Sequence, residues 1–209
     1  MPLDLSTTEL PSLENFVPGD NQAALAALLA CREGQGPQFI YLWGPQGCGK
    51  THLLRSLTPG QSARVPVYQP GVRLYTVDDV GELDAQQLEE LFVLMNFVRS
   101  NPECRLVTAG ASPVAAMKGL RADVASRLSW GLTFALEPLS SEDCIAEFTR
   151  LAAQRGIEIT AQMDAWIEQN RPRDIKSLKD FLEKIDQYAL SMKKKVTKPL
   201  ITKLGRDDA

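Results

Sequence analysis

The chain has 209 residues, 44% of them hydrophobic and 23% charged, enough for one buried core or a core with a small satellite. Its net charge of −3 excludes a dedicated nucleic-acid-binding surface, which would be basic, and leaves Lys193, Lys194, Lys195 and Lys198 as a local exception, so DNA is expected to be met only indirectly. No apolar run approaches the roughly 20 residues that span a bilayer. The opening MPLDLSTTEL carries acids where a secretory signal is basic, so a cytoplasmic protein without a membrane partner is expected. Cys31, Cys48, Cys104 and Cys144 are scattered, which suits neither a zinc site nor a disulfide framework.

In chain order, NQAALAALLA (21–30) reads as a first helix opening at Asp20 or Asn21 and stopped by Gly34 and Gly36. QFIYLW (38–43) is a short apolar run between turn signals, hence a buried and parallel strand. A glycine loop follows at once, then HLLRSL as helix: the opening of a βαβ unit. Val65–Tyr68 offers a second strand, weakened by Pro66. Leu74–Val77 is a third strand, ending at Asp78 and Asp79. Residues 84–99 have helical spacing, Arg105–Thr108 is a fourth strand, and Gly131–Leu136 is a fifth. Only Leu53–Arg73 connects the loop helix to the acid strand, and its prolines and glycines predict a reduced sheet there.

Beyond Pro138 the pattern is helical throughout. Ser140 or Ser141 caps a helix running to Gly156. Ile175, Leu178, Leu182, Ile185 and Ala189 mark one face of a long helix, and a last short helix starts at Thr197 and Pro199, with Gly205 just after it. The expected fold class is α/β: a core of parallel sheet flanked by helices, plus a small all-helical lid. The expected boundaries are a tail at 1–10, a nucleotide-binding α/β domain at 11–137 and the lid at 138–209.

The loop Gly44-Pro45-Gln46-Gly47-Cys48-Gly49-Lys50-Thr51 fits GxxxxGK[ST] in full. Glycines let backbone N–H groups converge on phosphate oxygens, and the following helix aims its positive end at the same anion. Lys50 is placed to reach the β- and γ-phosphates and the Thr51 hydroxyl to ligate Mg²⁺. Asp78, at the end of an apolar strand, is the candidate second metal ligand, and Asp79 the candidate general base. The ligand implied is ADP or ATP with Mg²⁺.

These residues, with the helical tail, resemble the AAA+ ATPases, so the α/β core is expected to be a P-loop AAA+ module. Leu13–Asn21 resembles the segment that opens the ATPase core of DnaA, the bacterial initiator of replication. The resemblance places Phe16 and Val17 in an adenine pocket, beside Gly44, Gly47, Cys48, Gly49, Lys50, Thr51 and His52. Ala125-Ser126-Arg127-Leu128-Ser129-Trp130-Gly131-Leu132 resembles the box that carries an arginine finger, with Arg127 on the finger. Arg171-Pro172-Arg173-Asp174-Ile175 resembles the sensor 2 motif, with Arg173 on the nucleotide-facing arginine. A DnaA-like core without DnaA's flanking domains is the layout of the Hda family, regulatory inactivators of DnaA.

That resemblance implies a regulator that promotes hydrolysis of DnaA-bound ATP together with the DNA-loaded sliding clamp of DNA polymerase III, which prevents re-initiation of chromosome replication. The implied partners are DnaA, the clamp and, as in many AAA+ proteins, a second copy in a homodimer. Arg127 would act in DnaA's site. Leu3 and Leu5 would enter the clamp, although the glutamine of the family's clamp-binding peptide is missing. The strand end Thr108-Ala109-Gly110-Ala111 lacks the acid that the family carries, which implies weak or no ATPase of its own. The alternative reading is an ATP-hydrolysing helicase loader or a clamp-loader-type AAA+ subunit.

Overall fold

Each strand forms where an apolar run meets turn residues at both ends. β1 (Phe39–Trp43), β2 (Leu74–Val77), β3 (Arg105–Gly110) and β4 (Leu132–Ala135) make one sheet of order β2-β3-β1-β4. All three pairings are parallel, and β1 runs against β3 from Phe39 opposite Leu106 to Trp43 opposite Gly110. The computed structural model describes residues 10–170, 174–192 and 196–206, and it divides after Pro138 into this α/β unit and a helical unit.

The alternation of side chains across β1 builds two cores. Ile40 and Leu42 face α1 (Gln22–Arg32) and α2 (Lys50–Leu57), and are buried with Leu28, Leu53 and Val107. Phe39 and Tyr41 face the other way, toward α3 (Ala85–Ser100) and α4 (Ala122–Leu128), and are buried with Leu91, Met95 and Val124. Covered on both faces, β1 reads as an unbroken apolar run. Each such Leu or Ile contributes about 1.5–3 kcal/mol through the surface it hides from water.

The helix starts follow local polar chemistry. Asp84 Oδ1 accepts from the Gln87 amide at 2.8 Å, and Gln87 Oε1 accepts from the Asp84 amide at 3.1 Å, so α3 opens with a capping box. Asn21 stands before α1 but does not cap it. Its side chain instead donates to the Glu137 carbonyl and accepts from the Glu137 amide, both at 2.8 Å, tying the chain beyond β4 to the start of α1.

Val65–Tyr68 is not a strand: the sheet has four strands, not five. Pro66 within the segment and Pro70 just after it lack backbone donors, so it cannot complete a ladder. Val65 turns into the core under α3, while Val67 is 74% exposed. The outer edge of β2 is met by a side chain instead, Gln61 Nε2 donating to the Thr76 carbonyl at 2.8 Å.

In the helical unit, α5 (Ser141–Gln154), α6 (Ala161–Asn170), α7 (Ile175–Met192) and α8 (Lys198–Arg206) enclose a third core. Ser140 caps α5, its Oγ accepting from the Asp143 amide at 3.0 Å. Leu178, Leu182 and Ile185 of α7 are buried as their spacing predicts, joined by Phe181, which the predicted face omitted. Gly205 lies inside α8 rather than beyond it. Its role is close approach, because a Cβ there would run into the Trp166 ring. Among the described residues no helix is long and apolar enough to cross a membrane.

Candidate functional site

The loop 44–49 leaves the C-terminal end of β1 and delivers the chain into α2, where ligands collect in parallel α/β sheets. Gly47 and Gly49 have φ of +86° and +94°, values open to glycine and strained for other residues. Gly49 has a second constraint: a Cβ there would lie 2.6 Å from the Phe16 ring. Gly44 passes against the Leu136 carbonyl, and Cys48 is buried. All four cysteines are free and buried.

Lys50 is only 8% exposed. Its ammonium is turned into the loop, donating to the Gly44 carbonyl at 2.7 Å and the Pro45 carbonyl at 2.9 Å, with Cys48 Sγ at 3.7 Å. The charge is thus held at the mouth of the loop, beside the first turn of α2. Thr51 Oγ1 donates to Asp78 Oδ2 at 2.6 Å, joining the two candidate metal ligands across 27 residues. The other carboxylate oxygen of Asp78 accepts from the Asp79 amide at 2.9 Å.

Asp79 has φ of +44°, the single positive value among the described non-glycine residues, and an aspartate tolerates it better than most side chains. Burial, with the neighbouring charges of Asp78 and Glu82, pushes its carboxyl above the ordinary 3.8, against the pull of Lys50 and Arg64. A raised carboxyl is the direction that suits a proton acceptor near neutral pH. A cleft of about 440 Å³ runs from Thr51, Asp78 and Asp79 past Arg55, Gln61 and Arg64, beside Thr76 of β2.

These residues fit a magnesium nucleotide. Two left-handed glycines open the loop backbone, one ammonium and a helix start supply positive potential, and a hydroxyl already meets a carboxylate. Among the described residues no three His, Cys, Asp or Glu side chains cluster as a metal cage.

On the far side of α2, His52 Nε2 lies 2.9 Å from the Ser12 carbonyl, and its ring centroid lies 5.6 Å from that of Phe16. The segment before α1 is thereby placed beside the loop, with Val17 half-buried next to Phe16. Sequence reasoning placed His52 at the site but did not foresee the Ser12 contact, which pairs residues 40 positions apart.

Arg127, in the last turn of α4, is folded onto its own unit. Its guanidinium stacks 4.0 Å from the Phe92 ring centroid and 5.1 Å from that of Trp130. It donates from Nε to Asn96 Oδ1 at 3.1 Å and from one terminal nitrogen to the Asp123 carbonyl at 2.9 Å. The stack continues on both sides, with Arg121 5.4 Å from Phe92 and Arg99 4.4 Å from Trp130. Arg121 is fixed in turn by Glu89 and Asp123. Sequence reasoning saw the tryptophan beside Arg127 but not Phe92 and Asn96, whose i, i+4 spacing on α3 was the available signal. Leu3, Leu5 and Arg173 lie outside the described residues, as do Lys193, Lys194 and Lys195.

The fold recurs in known structures. Domain III of the replication initiation protein DnaA from Thermotoga maritima superposes with a TM-score of 0.71 at 20% identity, over 99% of this chain and 98% of that one. AMPPCP-bound DnaA from Aquifex aeolicus gives 0.67 at 18% identity, over 87% of this chain and 66% of that one. Residues 141–204 match the family described as the lid domain of Hda. The chain thus shares the fold of DnaA domain III, and its helical unit is similar to the lid domain of Hda. The RuvB Holliday junction branch migration motor of Thermotoga maritima is also similar in fold, with a TM-score of 0.64 at 16% identity over 93% of this chain and 70% of that one. At these identities the shared feature is the fold, and the match to the Hda lid domain concerns residues 141–204.

Proposed function

We propose that the chain binds ADP or ATP with Mg²⁺ in the 44–51 loop and acts as a regulator that promotes hydrolysis of DnaA-bound ATP, together with the DNA-loaded sliding clamp of DNA polymerase III. The observation that carries this reading is an Hda-type lid on a module whose phosphate loop already joins Thr51 to Asp78 at 2.6 Å. When bound, the nucleotide would bring a polyphosphate and Mg²⁺, held by Thr51 and Asp78, would supply a Lewis acid. Lys50 exchanges carbonyl acceptors for phosphate oxygens, a charge-assisted contact stronger than the one it leaves. Thr51 and Asp78 orient the metal side, and Phe16 and Val17 flank the base. Arg173, which lies outside the described residues, is the proposed sensor 2 arginine. Asp79 is the one base candidate in the chain's own site, where turnover is weak.

The catalytic contribution to the partner is assigned to Arg127. A guanidinium entering another subunit's nucleotide site offsets charge on the transferred phosphoryl group, worth about 10³–10⁵ in rate in well-studied cases. To do so Arg127 must leave the faces of Phe92 and Trp130, at a cost of about 0.5–2 kcal/mol. Leu3 and Leu5 are the proposed clamp contacts. A protein of this function acts in the cytoplasm, and a second copy of the chain in a homodimer is a further proposed partner.

The test is ATP turnover by the chain alone, then with DnaA and DNA-loaded clamp. Slow turnover alone and fast turnover in the mixture is the expected result, and fast turnover by the chain alone would make it a loader or motor. Arg127→Ala is expected to abolish stimulation while keeping ADP affinity. An unchanged rate in the mixture would remove Arg127 from the finger role.

A further inference from the structure

Thr51 and His52 leave α2 in different directions. Thr51 turns to Asp78, and the next residue, about 100° further round the helix, turns to the segment before α1. There the His52 imidazole meets the Ser12 carbonyl at 2.9 Å. A carbonyl only accepts, so Nε2 carries the hydrogen and donates. The segment it grips is stiffened from within: the Asn15 amide donates to Ser12 Oγ at 3.1 Å, the Ser12 amide donates to Asn15 Oδ1 at 3.0 Å, and Asn15 Nδ2 donates to the Leu10 carbonyl at 2.9 Å. Leu13 between them is 2% exposed, sunk in the core beneath α1 and α2. Phe16 extends from this knot and lays its ring on Gly49 and beside His52.

A nucleotide held by this loop has a polyphosphate end, fixed by Lys50, Thr51 and Asp78, and a base end that must leave on the side away from Asp78. Phe16, set against Gly49 and beside His52, is the aromatic surface nearest the loop on the His52 side of α2. We infer that His52 is a positioning residue for base recognition: by holding residues 12–16 on the phosphate-loop helix it sets where Phe16 meets the base, while touching no phosphate itself. The inference rests on the nucleotide-binding reading and adds to it a division of labour between adjacent residues, Thr51 for the phosphate end and His52 for the base end.

The experiment measures ADP and pyrophosphate affinity of the full chain by calorimetry for the parent, His52→Ala and His52→Gln. Losing the Ser12 contact is expected to weaken ADP about three- to tenfold, the worth of one hydrogen bond, and to leave pyrophosphate unchanged. Glutamine can donate its amide to the same carbonyl, so His52→Gln is expected to recover most of the ADP affinity. Equal loss for both ligands, or loss for neither, would overturn the inference. Should His52→Ala not fold, Phe16→Leu is expected to give the same selective loss of ADP, and an equal effect on both ligands would overturn it likewise. A parent chain that binds neither ligand would overturn the nucleotide-binding reading and this inference with it, a result distinct from equal losses in a parent that binds both.

Discussion

Lys50 and Arg127 are both cations held by their own chain, and they are held by different means. Lys50 is gripped by carbonyls five and six residues before it, within a loop that the sequence specifies almost alone. Arg127 is gripped by Phe92 and Asn96, more than thirty residues earlier on another helix, and by Trp130 three residues later. One charge is placed by turn geometry and the other by packing between helices. A loop cation can change partners without moving its backbone. A stacked guanidinium has to break two aromatic contacts before it can reach anything else.

That contrast can be broken first at the loop. Gly49→Ala forces a φ of +94° on a residue with a Cβ and drives that Cβ into Phe16. We expect a loss of about 1–3 kcal/mol in unfolding free energy, measured by urea titration, with a parallel loss of ADP affinity. An unperturbed variant would show that the loop geometry is not what places Lys50. The next largest effect is expected at Trp130→Leu, which removes the stacks with Arg99 and Arg127 and the edge contact with Phe39 at 5.4 Å. About 1–2 kcal/mol should be lost while ADP affinity stays unchanged, because the loop does not depend on that stack.

The smallest effect is expected at Asp79. Its carboxyl titrates near 3.8 when unfolded and higher in the fold, so the fold favours the protonated form. Its favourable contribution is complete below about pH 3.8 and disappears as pH rises through the raised folded value. At neutral pH the ionised side chain is therefore a cost. Asp79→Asn, which also tolerates the left-handed backbone, should raise stability at pH 7 by a few tenths of a kcal/mol and remove this part of the pH slope, read from melts between pH 4 and 8. A destabilised Asn variant would reverse the sign of the argument.

The same contrast explains what could be read from the sequence. The phosphate loop, the acids after β2 and the helical lid all declare themselves locally, through glycine spacing, an apolar strand end and 3.6-residue periodicity. Val65–Tyr68 misleads because its apolar residues satisfy a strand pattern, while the ladder they would need is denied by Pro66 and Pro70. Gly205 misleads because a glycine near a helix end resembles a stop, and only the Trp166 ring, far away in sequence, shows why no side chain fits. The His52–Ser12 contact and the setting of Arg127 both depend on tertiary neighbours, which no local window contains.

Calorimetric titration of Mg-ADP into the parent chain and Lys50→Ala decides whether the first βα turn wraps a polyphosphate neutralised by Lys50. Saturable one-to-one binding is expected for the parent, with an affinity about 10- to 100-fold lower in the variant, the worth of hydrogen bonds to a charged group. Equal affinities, or no binding by the parent, would contradict it.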